Sequence, residues 1–92
     1  MKAWVVTTDK RGVFFGYASE AMAAMPELRL ERARMCVYWD VAAKGVLGLA
    51  AAGPTSGSRI TDAVPSISLC GITSVMEASP QAVTAWERGI WK

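Results

Sequence analysis

The sequence predicts an α+β domain, an antiparallel or mixed sheet of about five strands with two main helices packed on one face. Three observations carry this. Two β-rich runs flank a polar, glycine-ended link near the N-terminus, an apolar run stops at Gly53-Pro54, and Ser79-Pro80 opens a second helical segment that Gly89 closes. A chain of 92 residues has room for one hydrophobic core, so residues 1–92 are read as a single compact domain.

Lys2 to Thr8 and Val13 to Ala18 are rich in β-branched and aromatic residues, and Asp9-Lys10-Arg11-Gly12 between them suits a type I turn with glycine at a positive φ. They form a β-hairpin, in which Gly16 marks a bulge or a close approach of another backbone. Ser19 to Met25 is either a short helix capped by Ser19 or a lid-like connection, and Pro26 ends it. Leu28 and Leu30 alternate with Glu27, Arg29 and Glu31 as in a half-exposed strand. Met35 to Trp39 is continuously apolar, which suits a second, more central strand.

Asp40 serves as a cap and Gly53-Pro54 as a stop, predicting a helix over Val41 to Ala52. Its surface is apolar nearly all round, Lys44 excepted. Gly45 and Gly48, with Val41 and Ala52, give it a shallow face for a close neighbour. Pro54 to Pro65 reads as a loop, and Ile67 to Glu77 as one long strand bulged at Gly71. The last helix is fully punctuated: Ser79 caps it, Pro80 takes the first position, Arg88 lies near its negative end and Gly89 follows. Ile90-Trp91 is expected to fold back onto the body, because an exposed terminal indole wastes apolar surface. No internal repeat, low-complexity tract or linker divides the chain.

Composition narrows the class. Hydrophobic residues make up 52% of the chain, too many for a disordered protein and more than a small monomer readily hides, so a homo-oligomer is expected. Ten basic and eight acidic residues are scattered, and Arg29, Arg32 and Arg34 are diluted by Glu27 and Glu31. That pattern disfavours nucleic acid as a partner, since duplex capture needs a clustered basic stripe. The most apolar stretch, Val41 to Gly53, is much shorter than the ~20 residues of a membrane span. Polar residues from Thr7 to Arg11 end the N-terminal apolar stretch too early for an export signal. Cys36 and Cys70, embedded in apolar runs, read as buried reduced thiols, which points to the cytoplasm; the alternative is a disulfide between them if two strands bring them together.

Candidate chemistry is sparse. The chain has no histidine and no CxxC spacing, so no metal, no cofactor and no catalytic residue is expected, and the protein is read as not an enzyme. Asp9, Asp40 and Asp62 suit turns or caps, and Glu77 a solvated strand end. Two constellations are candidates for ligand binding. Ser56, Ser58, Arg59 and Thr61 lie in a small-residue loop able to cradle an anion, although it lacks Walker spacing and equally suits a solvated connection. Tyr38 and Trp39, near Arg34, could stack on a base, with core packing the competing use of one ring because strand neighbours point to opposite faces.

Gly12-Val13-Phe14-Phe15-Gly16, Arg32-Ala33-Arg34 leading into Tyr38-Trp39, Leu49-Ala50 before Gly53, Arg59 before Val64-Pro65, Ala82 and the terminal Trp91 resemble the pattern of a family of small uncharacterised proteins encoded by phages and prophages. Ser19 to Pro26 and Asp40-Val41 depart from it. The resemblance implies a phage accessory protein working inside a bacterial host cell. The expected function is therefore non-enzymatic binding of a host protein, with a bacterial defence component as a candidate. The alternative is a sponge that sequesters a small nucleotide through Arg59, Ser56, Ser58 and Thr61, with Tyr38 or Trp39 stacked on the base.

Overall fold

The computed structural model describes residues 1–91. Among them are six strands in one antiparallel sheet and two α-helices, the α+β class the sequence predicts. Strands β1 (Lys2–Thr8) and β2 (Val13–Ala18) pair from Lys2 opposite Ala18 to Thr7 opposite Val13, and the Thr8 amide donates to the Gly12 carbonyl at 3.0 Å. Val5 and Phe15 pack on one side of the hairpin and Val6 and Phe14 on the other. Burial on both faces explains why these runs lack the alternation of a half-exposed strand.

Leu28 to Tyr38, expected as two strands, is a single strand, β3. A bulge reconciles its two hydrophobic patterns. Phe15 pairs with Arg34 but Tyr17 pairs with Glu31, and Arg32 takes a φ of 48°. The extra residue shifts the phase, sending Leu28 and Leu30 to one face and Cys36 to the other. Gly16 sits where β3 comes close: a Cβ there would lie 2.7 Å from the Leu30 Cβ, so only glycine leaves room.

The helix expected over Val41 to Ala52 is interrupted. Val41–Ala43 form a 3₁₀ turn, Lys44 turns left-handed at φ 64°, and helix α1 runs over Gly45–Ala51. Asp40 makes no side-chain cap; its Oδ1 accepts instead from the Thr55 hydroxyl at 2.7 Å. The Ser19–Met25 segment forms no helix, only a turn in which the Met25 amide bonds to the Met22 carbonyl.

Helix α2 (Pro80–Glu87) keeps its sequence punctuation, with the Ala82 amide donating to the Ser79 hydroxyl at 3.0 Å and Gly89 left-handed beyond the end. It also completes α1. A helix leaves its last four carbonyls without internal partners. Here the Gly48 carbonyl accepts from Ala52 and Gly53, the Leu49 carbonyl from the Trp86 indole at 3.0 Å, the Ala50 carbonyl from the Ser79 amide and the Ala51 carbonyl from the Ser79 hydroxyl. The helices are thus joined through polar bonds as well as through Trp86, which is fully buried and stacked on Phe15 at 5.1 Å.

The expected loop and long strand resolve into β4 (Arg59–Ile60), β5 (Val64–Leu69) and β6 (Ile72–Glu77). β4 and β5 pair with β3 at one edge, while β6 pairs with β1 at the other. Only Cys70 and Gly71 link β5 to β6. In a flat sheet those edges would stand four strand spacings apart, about 19 Å, whereas three Cα steps reach about 11 Å. The sheet must therefore curl until its edges approach, without closing into a barrel.

Curling makes two cores. The convex face carries α1 and α2 over Val5, Val13, Phe15, Cys36, Leu49, Ile60 and Trp86. The concave face is filled by Val6, Leu28, Leu30, Ala33 and Leu69, with Ile67, Ile72 and Val75 brought across by β5 and β6. Cys36 is buried, but Cys70 is exposed, because it falls in the two-residue link and not inside a strand; both thiols are free. Among the described residues no helix is long and apolar enough to cross a membrane.

Candidate binding surface

Tyr38, the last residue of β3, and Trp39, just beyond it, take different environments. Trp39 turns inward and packs on the convex-face core, where it lines a hollow of about 400 Å³ with Val13, Val46 and Arg11. Tyr38 turns outward and is 52% exposed. β4 places Arg59 opposite it, with the guanidinium 5.9 Å from the ring centroid.

The C-terminal segment joins them. The Ile60 amide donates to the Ile90 carbonyl at 2.6 Å, and Arg59 bridges to Trp91 in antiparallel fashion. Ile90-Trp91 folds back as expected, yet Trp91 stays 61% exposed. Tyr38, Arg59 and Trp91, paired side by side and exposed, therefore form one aromatic and cationic surface at the β4 end of the sheet.

The other candidates lie elsewhere or are occupied. Arg34 is on the convex face, where its Nε donates to Glu87 Oε1 at 3.2 Å and its Nη1 to the Thr61 carbonyl at 3.1 Å. Its guanidinium covers Gly89, so it pins the end of α2 to the sheet. Thr61 also answers β3, exchanging backbone and hydroxyl bonds with Met35. Ser58 is fully buried and its hydroxyl accepts from the Thr55 amide at 3.2 Å. Gly57 closes against the Asp40 carboxylate. The loop thus folds around an acid; of its hydroxyl side chains only Ser56 is fully turned to solvent.

Two features escaped the sequence reading. Glu87 bonds Arg34 through one oxygen and the Tyr17 hydroxyl through the other at 2.9 Å, while Arg32 lies 4.2 Å over the Tyr17 ring. Burial and then Glu87 raise the Tyr17 pKa, against the lowering effect of Arg32 and Arg34. Charges from β3 and α2 meet here because Arg34, paired with Phe15, shares the face on which α2 packs. The second feature is a cleft of about 660 Å³ between α1 and α2, lined by Gly48, Ala52, Thr55, Gln81, Lys44 and Arg88. It uses the small-residue face that Gly48 and Ala52 announce. Among the described residues no three His, Cys, Asp or Glu side chains are grouped to hold a metal ion.

A family model described as a domain of unknown function (DUF6948) matches residues 1–86. No curated protein and no solved structure matches the chain.

Proposed function

We propose, for a chain that belongs to the DUF6948 family of domains of unknown function, that it is a non-enzymatic accessory protein of phage or prophage type, acting in the host cytoplasm by docking a host protein. The docking surface is Tyr38, Arg59 and Trp91, and a component of bacterial defence is the class of partner it would engage. One observation carries the proposal: a Tyr, a Trp and an Arg, the residue types that dominate interface energetics, stand together and exposed at one end of the sheet. Scattered exposed apolar residues need no explanation, but a cluster of this composition does. Tyr38 and Trp91 present exposed rings beside a cation, which favours a partner offering an apolar pocket.

Affinity capture from bacterial lysate tests the proposal, comparing the wild-type chain with Tyr38→Ala and Arg59→Ala. Both side chains are exposed, so both variants should keep the wild-type circular dichroism spectrum. A central aromatic or arginine anchor contributes about 2 kcal/mol or more, so a specific partner should bind each variant about 30-fold more weakly. Equal capture by all three chains, or no enriched protein, would contradict the proposal.

The nucleotide-sponge reading draws on the same pair, since the exposed Tyr38 ring beside the Arg59 guanidinium could stack on a base and meet a phosphate. It retains Ser56 from the loop but not Ser58, whose hydroxyl is buried in the turn. Thermal-shift measurements with cyclic and linear nucleotides separate the two readings. Saturating tight ligand must raise the melting temperature, and the absence of any shift rejects the sponge.

A further inference from the structure

The pairing of β1 with β6 fixes which backbone groups of β6 are unused. The Ala78 amide donates to the Ala3 carbonyl at 2.9 Å, so in this register Ala78, Met76 and Ser74 point their amides and carbonyls at β1. Val75 and Glu77 point theirs away, and among the described residues no strand pairs with that outer edge. Folded proteins normally guard such an edge with proline, lysine or a covering segment. The opposite side of this sheet is guarded, since β5 carries Pro65 and the two-residue β4 is covered by Ile90-Trp91. From Ile72 to Met76, β6 carries no proline and no charge. Alongside it runs an apolar groove lined by Leu47, Ala50, Ala51, Met76 and Pro80, in which Leu47 is 73% exposed.

We propose that β6 pairs antiparallel with β6 of a second copy of this chain about a two-fold axis through Met76, joining two curled sheets into one continuous sheet. The register follows from the geometry. An axis at Met76 sets Val75 opposite the partner copy's Glu77 and the reverse, so that all four outward amides and carbonyls of each pair meet in hydrogen-bonded positions. Centring on Glu77 would oppose two carboxylates directly, which destabilises a ladder. With the axis at Met76 each Glu77 faces a valine and keeps Lys2 of its own chain 4.0 Å away. Charge thus permits this self-pairing while disfavouring the register centred on Glu77. The two Leu47 grooves come side by side over Met76, covering the apolar surface that the ladder alone would leave wet. The surface lies at the other end of the sheet from Tyr38, Arg59 and Trp91, so this inference stands or falls separately from the docking proposal.

The test uses the full chain. Sedimentation velocity should give about twice the 9.9 kDa chain mass, rising to that value with concentration. Directly opposed, non-hydrogen-bonded residues have Cα atoms about 4.5 Å apart, within disulfide reach. In a Cys70→Ser background, Met76→Cys should therefore cross-link under mild oxidation, while Thr73→Cys, three residues from the axis, should not. Leu47→Lys changes an exposed side chain and should weaken the dimer at least about tenfold, as expected for a charge forced into an interface core. A monomer at every concentration, cross-linking at Thr73→Cys equal to that at Met76→Cys, or an unweakened Leu47→Lys dimer would each overturn the inference.

Discussion

Replacing Trp86 with phenylalanine tests the joint between the helices. The indole is fully buried, stacks on Phe15 and donates to the Leu49 carbonyl, whose helical partner, the Gly53 amide, bonds to Gly48 instead. Phenylalanine keeps a ring for the stack but deletes the donor. An unsatisfied buried carbonyl costs about 1–3 kcal/mol, and the smaller ring removes apolar contact worth about 1 kcal/mol. The sum is about 2–4 kcal/mol, a large share of the roughly 5–14 kcal/mol expected for a domain of this size. In a domain of this length that lowers the melting temperature by about 10–25 °C. Urea denaturation followed by far-ultraviolet circular dichroism measures it without depending on tryptophan fluorescence. A loss below about 1 kcal/mol would refute the reasoning, because it would mean the end of α1 finds other partners at no cost.

Ser79→Ala removes both a cap of α2 and the donor to the Ala51 carbonyl, so it should cost about 1–2 kcal/mol in the same assay, more than a simple cap at an exposed helix. Thiol labelling at mildly alkaline pH should modify Cys70 rapidly and Cys36 only on unfolding, since Cys36 is buried and its pKa is pushed up to about 11. The same shift sets a pH dependence. Because the folded thiol holds its proton more tightly than the unfolded one, the stability it contributes is full below pH 9 and is lost as pH rises toward 11. Denaturation midpoints should fall across that window, and Cys36→Ala should make the fall shallower.

Local signals in the sequence were reliable where one physical cause acted alone. The hairpin from Lys2 to Ala18 and the capped helix after Ser79 follow from turn chemistry and capping, and both were legible with their boundaries. Errors arose where tertiary pairing overrode local pattern. The polar stretch around Arg32 reads as the end of a strand, whereas a bulge opposite Gly16 carries β3 through it. The Ile67–Glu77 run reads as one strand, but its halves pair with opposite edges of a curled sheet, which no local pattern encodes. Lys44 carries no signal for its left-handed turn; Gly45, also at a positive φ, marks the break.

The candidate surface was half legible. Residue type alone marks Tyr38 and Arg59, and the structure brings them together across β3 and β4. Residue type marks Ser58, Thr61 and Arg34 as well, but the two hydroxyls serve the fold and Arg34 holds α2. Hydropathy predicts that Trp91 is covered, whereas it pairs with Arg59 through its backbone and remains largely exposed. Hydropathy states that a ring prefers burial, but it does not say whether this chain or another molecule provides it.

Photo-cross-linking at position 38 tests the docking surface most directly. A photoreactive phenylalanine analogue replaces Tyr38 in the chain expressed in bacteria, with the same analogue at exposed Asp62 as the control. The expected result is a discrete adduct with one host protein from position 38 and none from position 62. Adducts from position 62 alone, or none from position 38 at full expression, would contradict binding through Tyr38, Arg59 and Trp91.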